Sequence, residues 1–341
     1  MFSDCTFLDN STKNGISCVE LCDPRGRYKG KLDKINNWLS FRKAFLRYKK
    51  NINSQDSVIW IGNGETFLAL KGILNKYNTI ITYLELYDQM PRKRDLLKKM
   101  TQNAMAVITR EETRSYLMKN WFDLKKLPYI MPNKPYQVSQ IKNSNCTTDM
   151  GKEIIKELSG RKFVIYQGIF QNYEFIVNMA KALRDALPDY CFVMMGIDRK
   201  NIASKIKAIN PNTIISNYIP APLHLEVTSN AAIGFLFYAP DCLNKVFCAP
   251  NKIFEYSNFG LPMIGNSIPG LENTIGKAGA GICTDLTYEG IKEALLEIVE
   301  NYEQYSVNSY RFFASVDNVK TMKKIIEDVG IEKQRGKNEE L

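Results

Sequence analysis

Short apolar runs of strand length alternate with longer segments of helical periodicity in both halves of this chain, and that alternation restricts its fold more than any other feature. In the first half Gly15–Cys22, Ser57–Ile61, Thr79–Leu84, Ala104–Thr109 and Pro128–Met131 read as buried strands, with helices over Leu39–Tyr48, Thr66–Leu74, Lys93–Thr101 and Glu111–Lys119. In the second half the strands are Phe163–Tyr166, Cys191–Met195, Thr213–Ile215, Ala232–Phe237, Pro262–Ile264 and Gly281–Cys283. Helices fall over Tyr173–Ala186, Ile202–Ile209, Leu223–Ser229, Lys252–Phe259, Glu289–Asn301 and Val316–Asp328. Strands separated by helices pair in parallel and need helices on both faces, so each half is expected to be an α/β, Rossmann-like layer. At 341 residues the chain exceeds what one compact core usually holds, and two domains are the default.

The boundary is legible too. Pro132-Asn133-Lys134-Pro135 closes the first half, and a polar stretch from Gln137 to Asp149 reads as a linker. The expected organisation is a first domain over residues 1–140, a linker over 141–150, a second domain over 151–315, a C-terminal helix over 316–331 and a frayed tail over 332–341.

The most informative single stretch is Ala249–Asp285. Lys252 to Phe259 reads as a short helix with Glu255 inside it, Gly260-Leu261-Pro262 as its stop and Met263-Ile264 as the next buried strand. A carboxylate lodged between a helix and a parallel strand is unusual, although a Glu before a Tyr, taken alone, is an ordinary helix-surface residue. Ser267-Ile268-Pro269-Gly270 then leads to Gly279-Ala280-Gly281, small residues where backbone must pass close to another element or a ligand.

Pro250, Lys252, Glu255, Tyr256, Gly260 and Pro262 stand at the spacing P-x-K-x-x-E-Y-x-x-x-G-x-P, which resembles the donor-site signature of GT-B glycosyltransferases similar to glycosyltransferase family 4. The resemblance extends over the C-terminal half and more loosely over the N-terminal half, where Pro132-Asn133-Lys134-Pro135 also looks like the family. It implies a GT-B architecture, two Rossmann-like parallel-sheet domains facing a cleft, and transfer of a sugar from a nucleotide-sugar to an acceptor hydroxyl. It implies that Glu255 accepts hydrogen bonds from the ribose hydroxyls, a task suited to an ionised carboxylate. A UDP- or GDP-sugar is the expected substrate, with no separate cofactor and no metal. Retention is the expected course, in which family members use the leaving phosphate itself as base.

In open parallel sheets ligands bind beyond the carboxyl ends of the strands. Gly168 follows the first strand of the second half and would let backbone amides approach a diphosphate at a helix N-terminus. Gly196, at the end of CFVMMG, and Asn217-Tyr218-Ile219 occupy the corresponding edges for the base, though Gly196 reads equally as a strand-ending turn. The loop from Ala239 to Lys252 should face sugar and phosphates. It supplies Pro250, Asn251 and, as cations against the departing nucleoside diphosphate, Lys252 first and Lys245 second. The chain departs from the family where a second Glu usually precedes the one at Glu255's position, since Phe247 stands there. It also lacks the Arg and Lys usual after the glycine at Gly168, having Asn172 and Val177.

On the acceptor side Gly62, Asn63, Arg110 and Glu112 follow predicted strands, as do Glu85 and Asp88. Either of the last two could act as general base in an inverting reaction, or cap the helix that follows. MFSDCTFLDNSTKNG does not read as the hydrophobic strand and glycine-rich loop with which such a first domain opens.

Charge adds a partner. Residues 1–140 hold 24 Lys and Arg against 13 Asp and Glu, whereas 141–341 hold 22 against 23, so the positive excess lies wholly in the first half. It concentrates in Arg42-Lys43, Arg47 to Lys50 and PRKRDLLKKM, which suits anionic lipid, a phosphate-bearing acceptor or a solvated helix face. Nucleic acid is excluded as the leading partner, because no helix-turn-helix, RNP or zinc-finger pattern accompanies the charge. No apolar run reaches eighteen residues, and Asp4, Asp9, Lys13 and Glu20 interrupt any signal-peptide core, so a cytoplasmic protein, peripheral at the inner membrane face, is expected. The eight cysteines are dispersed without zinc-ligand spacing, and the single histidine, His224, reads as a helix-start residue. Rival readings are a non-catalytic GT-B scaffold of a glycan-assembly complex and a nucleotide-sugar epimerase. The second would act on the donor without an acceptor.

Overall fold

The structure, a computed structural model, describes residues 30–54, 57–136 and 138–331 together with Ser17, Val19 and Leu21. Apart from those three, the residues of the strand expected over Gly15–Cys22 lie outside the described residues, as do Cys5 and the tail after residue 331. The chain divides into two compact units, residues 1–130 with 322–341, and residues 131–321.

In the first unit α1 (Lys31–Tyr48) precedes β1 (Val58–Ile61), α2 (Gly64–Ala69), β2 (Asn78–Thr82), α3 (Pro91–Thr101), β3 (Ala106–Thr109), α4 (Glu112–Phe122) and β4 (Tyr129–Ile130). The strands lie in the order β1-β2-β3-β4 and every pairing is parallel. Phe45, Phe67, Leu70, Ile81, Tyr83, Leu97, Met118 and Phe122 form the core beneath the helices. Two expectations shift. Helix α1 begins eight residues before Leu39, because Leu32 and Ile35 do not face this core and leave no apolar period there to read. The helix expected over Thr66–Leu74 ends at Ala69, and the chain turns through Gly72 at φ 75°.

The second unit runs α5 (Asp149–Leu158), β5 (Phe163–Ile169), α6 (Tyr173–Ala186), β6 (Cys191–Ile197), α7 (Ala203–Ile209), β7 (Thr213–Ser216), α8 (His224–Thr228), β8 (Ile233–Leu236), α9 (Leu243–Val246), α10 (Asn251–Ser257) and β9 (Met263–Asn266). A helical turn with a π-turn follows, then β10 (Gly281–Thr284), α11 (Tyr288–Glu300), α12 (Tyr302–Ser315) and α13 (Asn318–Asp328), which enters the first unit at Met322. Its six strands pair in parallel in the order β10-β9-β8-β5-β6-β7. Alternate residues of β5 supply opposite faces. Phe163 and Ile165 pack with Ile154, Ile253 and Tyr256, while Val164 and Tyr166 pack with Ile176, Met179 and Leu295. Both faces are covered, which is why FVIY and CFVMM read as continuous apolar runs.

Helix α12 was not anticipated. Its buried face carries Ser306 and Ser309, whose small polar side chains hide the apolar period, and the Ser309 hydroxyl donates to Leu261 O at 2.8 Å. No described helix is long and apolar enough to cross a membrane.

Candidate functional site

Strand order places the site. The first strand of the second unit, β5, is central, and the chain winds outward from it to β6 and β7 on one side and to β8, β9 and β10 on the other. The connections diverge between β5 and β8, the topological switch point where open parallel sheets form a crevice beyond the strand ends. A cavity of about 150 Å³ lies there, lined by Tyr166, Gln167, Gly168, Phe237, Tyr238 and Lys252 among others.

Gly168 is held at φ 137°, a conformation costly for residues with a Cβ. A Cβ there would lie 3.6 Å from Lys252 Cε and 3.8 Å from Nζ, so the lysine ammonium stands over this backbone. The Tyr166 hydroxyl donates to Ile169 O at 2.8 Å and shapes the turn. Gly196, its register partner on β6, is at φ 156°, and a Cβ there would fall 1.7 Å from Gly168 O. Gly196 thus does more than end a strand: it lets the backbone of Gly168 pass. Helix α6 begins beyond this turn with Asn172 in the left-handed region at its N-cap and no side-chain capping bond.

Helix α10 carries Lys252 and Glu255 one turn apart on neighbouring positions. Its anchor is Tyr256, fully buried. A Cβ on Gly234 of β8 would come within 2.3 Å of the Tyr256 ring, so only glycine admits the ring against that strand. Burial pushes the Tyr256 phenol well up, and its hydroxyl reaches Phe235 O at 3.3 Å and Ile165 O at 3.4 Å, on the two central strands. With Tyr256 inward, the preceding Glu255 is half-buried. Pro250 is the N-cap of α10, and the Asn133 amide donates to Ala249 O at 3.2 Å just before it.

Glu255 meets His224, the first residue of α8. Their Oε2 and Nε2 atoms lie 3.5 Å apart. The histidine is therefore a helix-start residue, as expected, and also a neighbour of the carboxylate. Its backbone is tied to β5 through Thr228, whose hydroxyl donates to His224 O at 3.0 Å and accepts from the Gln167 amide at 2.9 Å. Asn266 at the end of β9 grips the Tyr238 backbone, accepting from its N–H at 3.0 Å and donating to its carbonyl at 2.8 Å. Gln167, Tyr238, His224 and Asn266 carry no motif; only the strand ends on which three of them sit could have pointed to them.

Lys245 does not join this group as a bare cation, since its ammonium pairs with Asp241 at 2.7 Å. Asn217 and exposed Tyr218 follow β7, while Ile219 is in the core and offers only its backbone. In the first unit the Asn63 side chain caps α2, accepting from Thr66 N at 2.8 Å, and Gly62 beside it is exposed. Glu85 is exposed and Asp88 half-buried on the loop after β2. The N-cap of the following helix is Met90, not either acid. Burial, with the Arg114 charge, lowers the Arg110 guanidinium, and Glu112 is exposed beside Glu111, whose carboxylate caps α4.

A cation and backbone amides at the end of a central parallel strand can hold an anion of diphosphate type, and a carboxylate a turn away can accept from paired hydroxyls. No protein-family model matches this chain, and no curated protein matches it. Solved structures do. Anabaena HepE in complex with UDP-glucose superposes with a TM-score of 0.66 at 9% identity, over 96% of this chain and 90% of that one. The fold is GT-B. Trehalose 6-phosphate synthase from Burkholderia multivorans aligns with a TM-score of 0.65 at 10% identity, over 89% of this chain and 77% of that one. Sucrose-phosphate synthase from Thermosynechococcus elongatus gives 0.62 at 14% identity, over 92% and 80%. At such identities the likeness is one of fold, and the GT-B architecture expected from Pro250 to Pro262 is the one found.

Proposed function

We propose that this chain is a glycosyltransferase that moves a hexosyl or related glycosyl group from a nucleotide-sugar, of the UDP or GDP type, to an acceptor hydroxyl. The observation that carries the reading is the meeting of Lys252 with the backbone of Gly168 at the switch point, with Glu255 one turn further along α10. The nucleotides in the HepE complexes are consistent with it.

In this reading Glu255 accepts from the ribose hydroxyls, while Gly168 and the first turn of α6 offer amides to the diphosphate. Lys252 offsets the charge that builds on the leaving nucleoside diphosphate, an interaction strongest in the transition state. Gly196, Asn217, Tyr218 and the Ile219 backbone receive the base, and Pro250, Asn251 and Lys245 border the sugar. Gly62, Asn63, Arg110 and Glu112 serve the acceptor. Transfer is with retention and without a metal, the leaving phosphate taking the acceptor proton; Asp88 or Glu85 would be the base of an inverting course. The acceptor is a lipid-linked or polysaccharide glycan, and the protein works in the cytoplasm against an anionic membrane face.

The test is a thermal-shift and calorimetric panel of UDP, GDP, ADP, CMP and their sugars against wild type and Glu255→Ala. Stabilisation by one nucleotide, removed by the substitution, supports the donor site and names the base. Absence of binding by all of them would sink the enzyme reading and leave the scaffold.

A further inference from the structure

Helix α1 carries two apolar stripes. Trp38, Phe41 and Phe45 pack on the core of the first unit, and the Arg42 guanidinium fixes the helix there by donating to Ala69 O at 3.1 Å and Lys71 O at 2.7 Å. Away from that core, Leu32, Ile35, Leu39 and Leu46 are 66%, 53%, 61% and 37% exposed. With about 100° between successive residues, these four fall within an arc of about 60°. They form a stripe, not a scatter of surface leucines. Lys43 and Arg47 border the arc, and Lys50 follows in the next turn; all three are exposed. Asp33 is the sole acid between Lys31 and Lys50, and no acidic partner holds Lys43, Arg47 or Lys50 among the described residues.

We infer that this face of α1 seats on an anionic bilayer surface. The stripe enters the interface and Lys43, Arg47 and Lys50 meet the lipid phosphates. The inference gives the membrane contact proposed above its residues, and rests on that part of the reading and not on glycosyl transfer. In the other basic cluster, on α3, three of the five cations are engaged within their own unit. Lys93 pairs with Glu65 at 2.5 Å, Lys98 pairs with Asp123, and Arg94 lies over the Trp121 ring at 4.7 Å. A second copy of the chain would also cover the leucines, but two such faces together would oppose the same three cations, whereas lipid phosphates neutralise them.

The test is flotation of the full chain with phosphatidylcholine vesicles, with and without phosphatidylglycerol, in the absence of nucleotide. Wild type is expected to float with the anionic vesicles and to be released by salt. Leu39→Gln with Leu46→Gln should lower partitioning by about tenfold or more, and Lys43→Gln with Arg47→Gln and Lys50→Gln should abolish the preference for anionic lipid. These positions are exposed and glutamine favours helix, so circular dichroism should show an unchanged fold. Arg92→Gln with Lys99→Gln on α3 should float like wild type. Three results would each overturn the inference: no flotation of wild type, leucine variants that float equally, or loss in the α3 variant. A dimer in sedimentation that the leucine variants dissolve would overturn it in favour of the second copy. Since no nucleotide is present, the result is independent of the donor-site test.

Discussion

His224 Nε2 lies 3.5 Å from Glu255 Oε2, which sets the single histidine of the chain against the carboxylate proposed to hold the ribose. Nε2 is the ring atom that faces the acid, and among the described residues the buried Nδ1 has no hydrogen-bond partner. The two side chains come from α8 and α10.

The consequence is a prediction about ribose selectivity. Glu255→Ala should bring the affinities for UDP and 2′-deoxy-UDP together. His224→Leu should weaken ribonucleotide binding by about threefold to tenfold, because the carboxylate loses the group that limits its rotamers. His224→Gln, which keeps a polar side chain beside Glu255, should recover part of that loss. Calorimetry with the two nucleotides checks all three; a His224→Leu variant indistinguishable from wild type would show that the contact does not orient Glu255.

Lys252 is the cation proposed to offset the phosphates, so its removal should be selective for them. Lys252→Met is expected to weaken a nucleoside diphosphate by about tenfold to a hundredfold, the range of a charge-assisted bond, and to leave the nucleoside unaffected. Comparing UDP with uridine separates this outcome from general damage to the pocket.

Gly196 and Gly168 form a tightly packed pair of backbones. Gly196→Ala places a methyl into Gly168 O, which only backbone movement can relieve, and should cost about 3 kcal/mol or more. Gly168→Ala meets a mobile lysine end and an unfavourable φ, so its cost should be nearer 1–3 kcal/mol with a larger effect on nucleotide binding. Urea unfolding beside nucleotide titration gives both quantities.

Glu65 offers a pH test in the first unit. Burial raises its carboxyl, but hydrogen bonds from Lys93 and Lys34 outweigh this and hold it below the ordinary value. A depressed carboxyl stabilises the fold above its unfolded pKa and loses that contribution as pH falls through the folded value. Glu65→Gln should therefore destabilise by about 0.5–1 kcal/mol at neutral pH, a modest figure because the pair is partly solvated. The difference from wild type should close below the unfolded carboxyl range. Denaturant curves at neutral and acidic pH measure it; a gap that widened in acid would contradict the assignment.

Much of the fold was open to sequence reading because buried parallel strands leave a local mark. Phe163 to Tyr166 and Cys191 to Met195 are apolar on both faces, and β5 and β6 begin where those runs begin. Helix α10 is framed by Pro250 and Gly260, residues whose backbone restrictions act within a turn. Reading failed where the local signal was blank or misleading. Ser306 and Ser309 concealed α12, Leu32 and Ile35 pointed away from the core, and in PRKRDLLKKM nothing local showed that Lys93, Lys98 and Arg94 meet Glu65, Asp123 and Trp121.

What the sequence by itself determined, then, is the kind of element at each position and the chemistry that a Lys, a Glu and a few glycines can bring. Only the tertiary structure decided which of them meet. Strand β8 lies beside β5 although 60 or more residues separate them in the chain, and that pairing brings Lys252 over Gly168. The β5–β6 register sets Gly196 against Gly168, and the packing of α8 near α10 brings His224 to Glu255. Each of these contacts depends on strand order and register, which arise from burial summed over whole sheets and leave no signature in the few residues that make the contact.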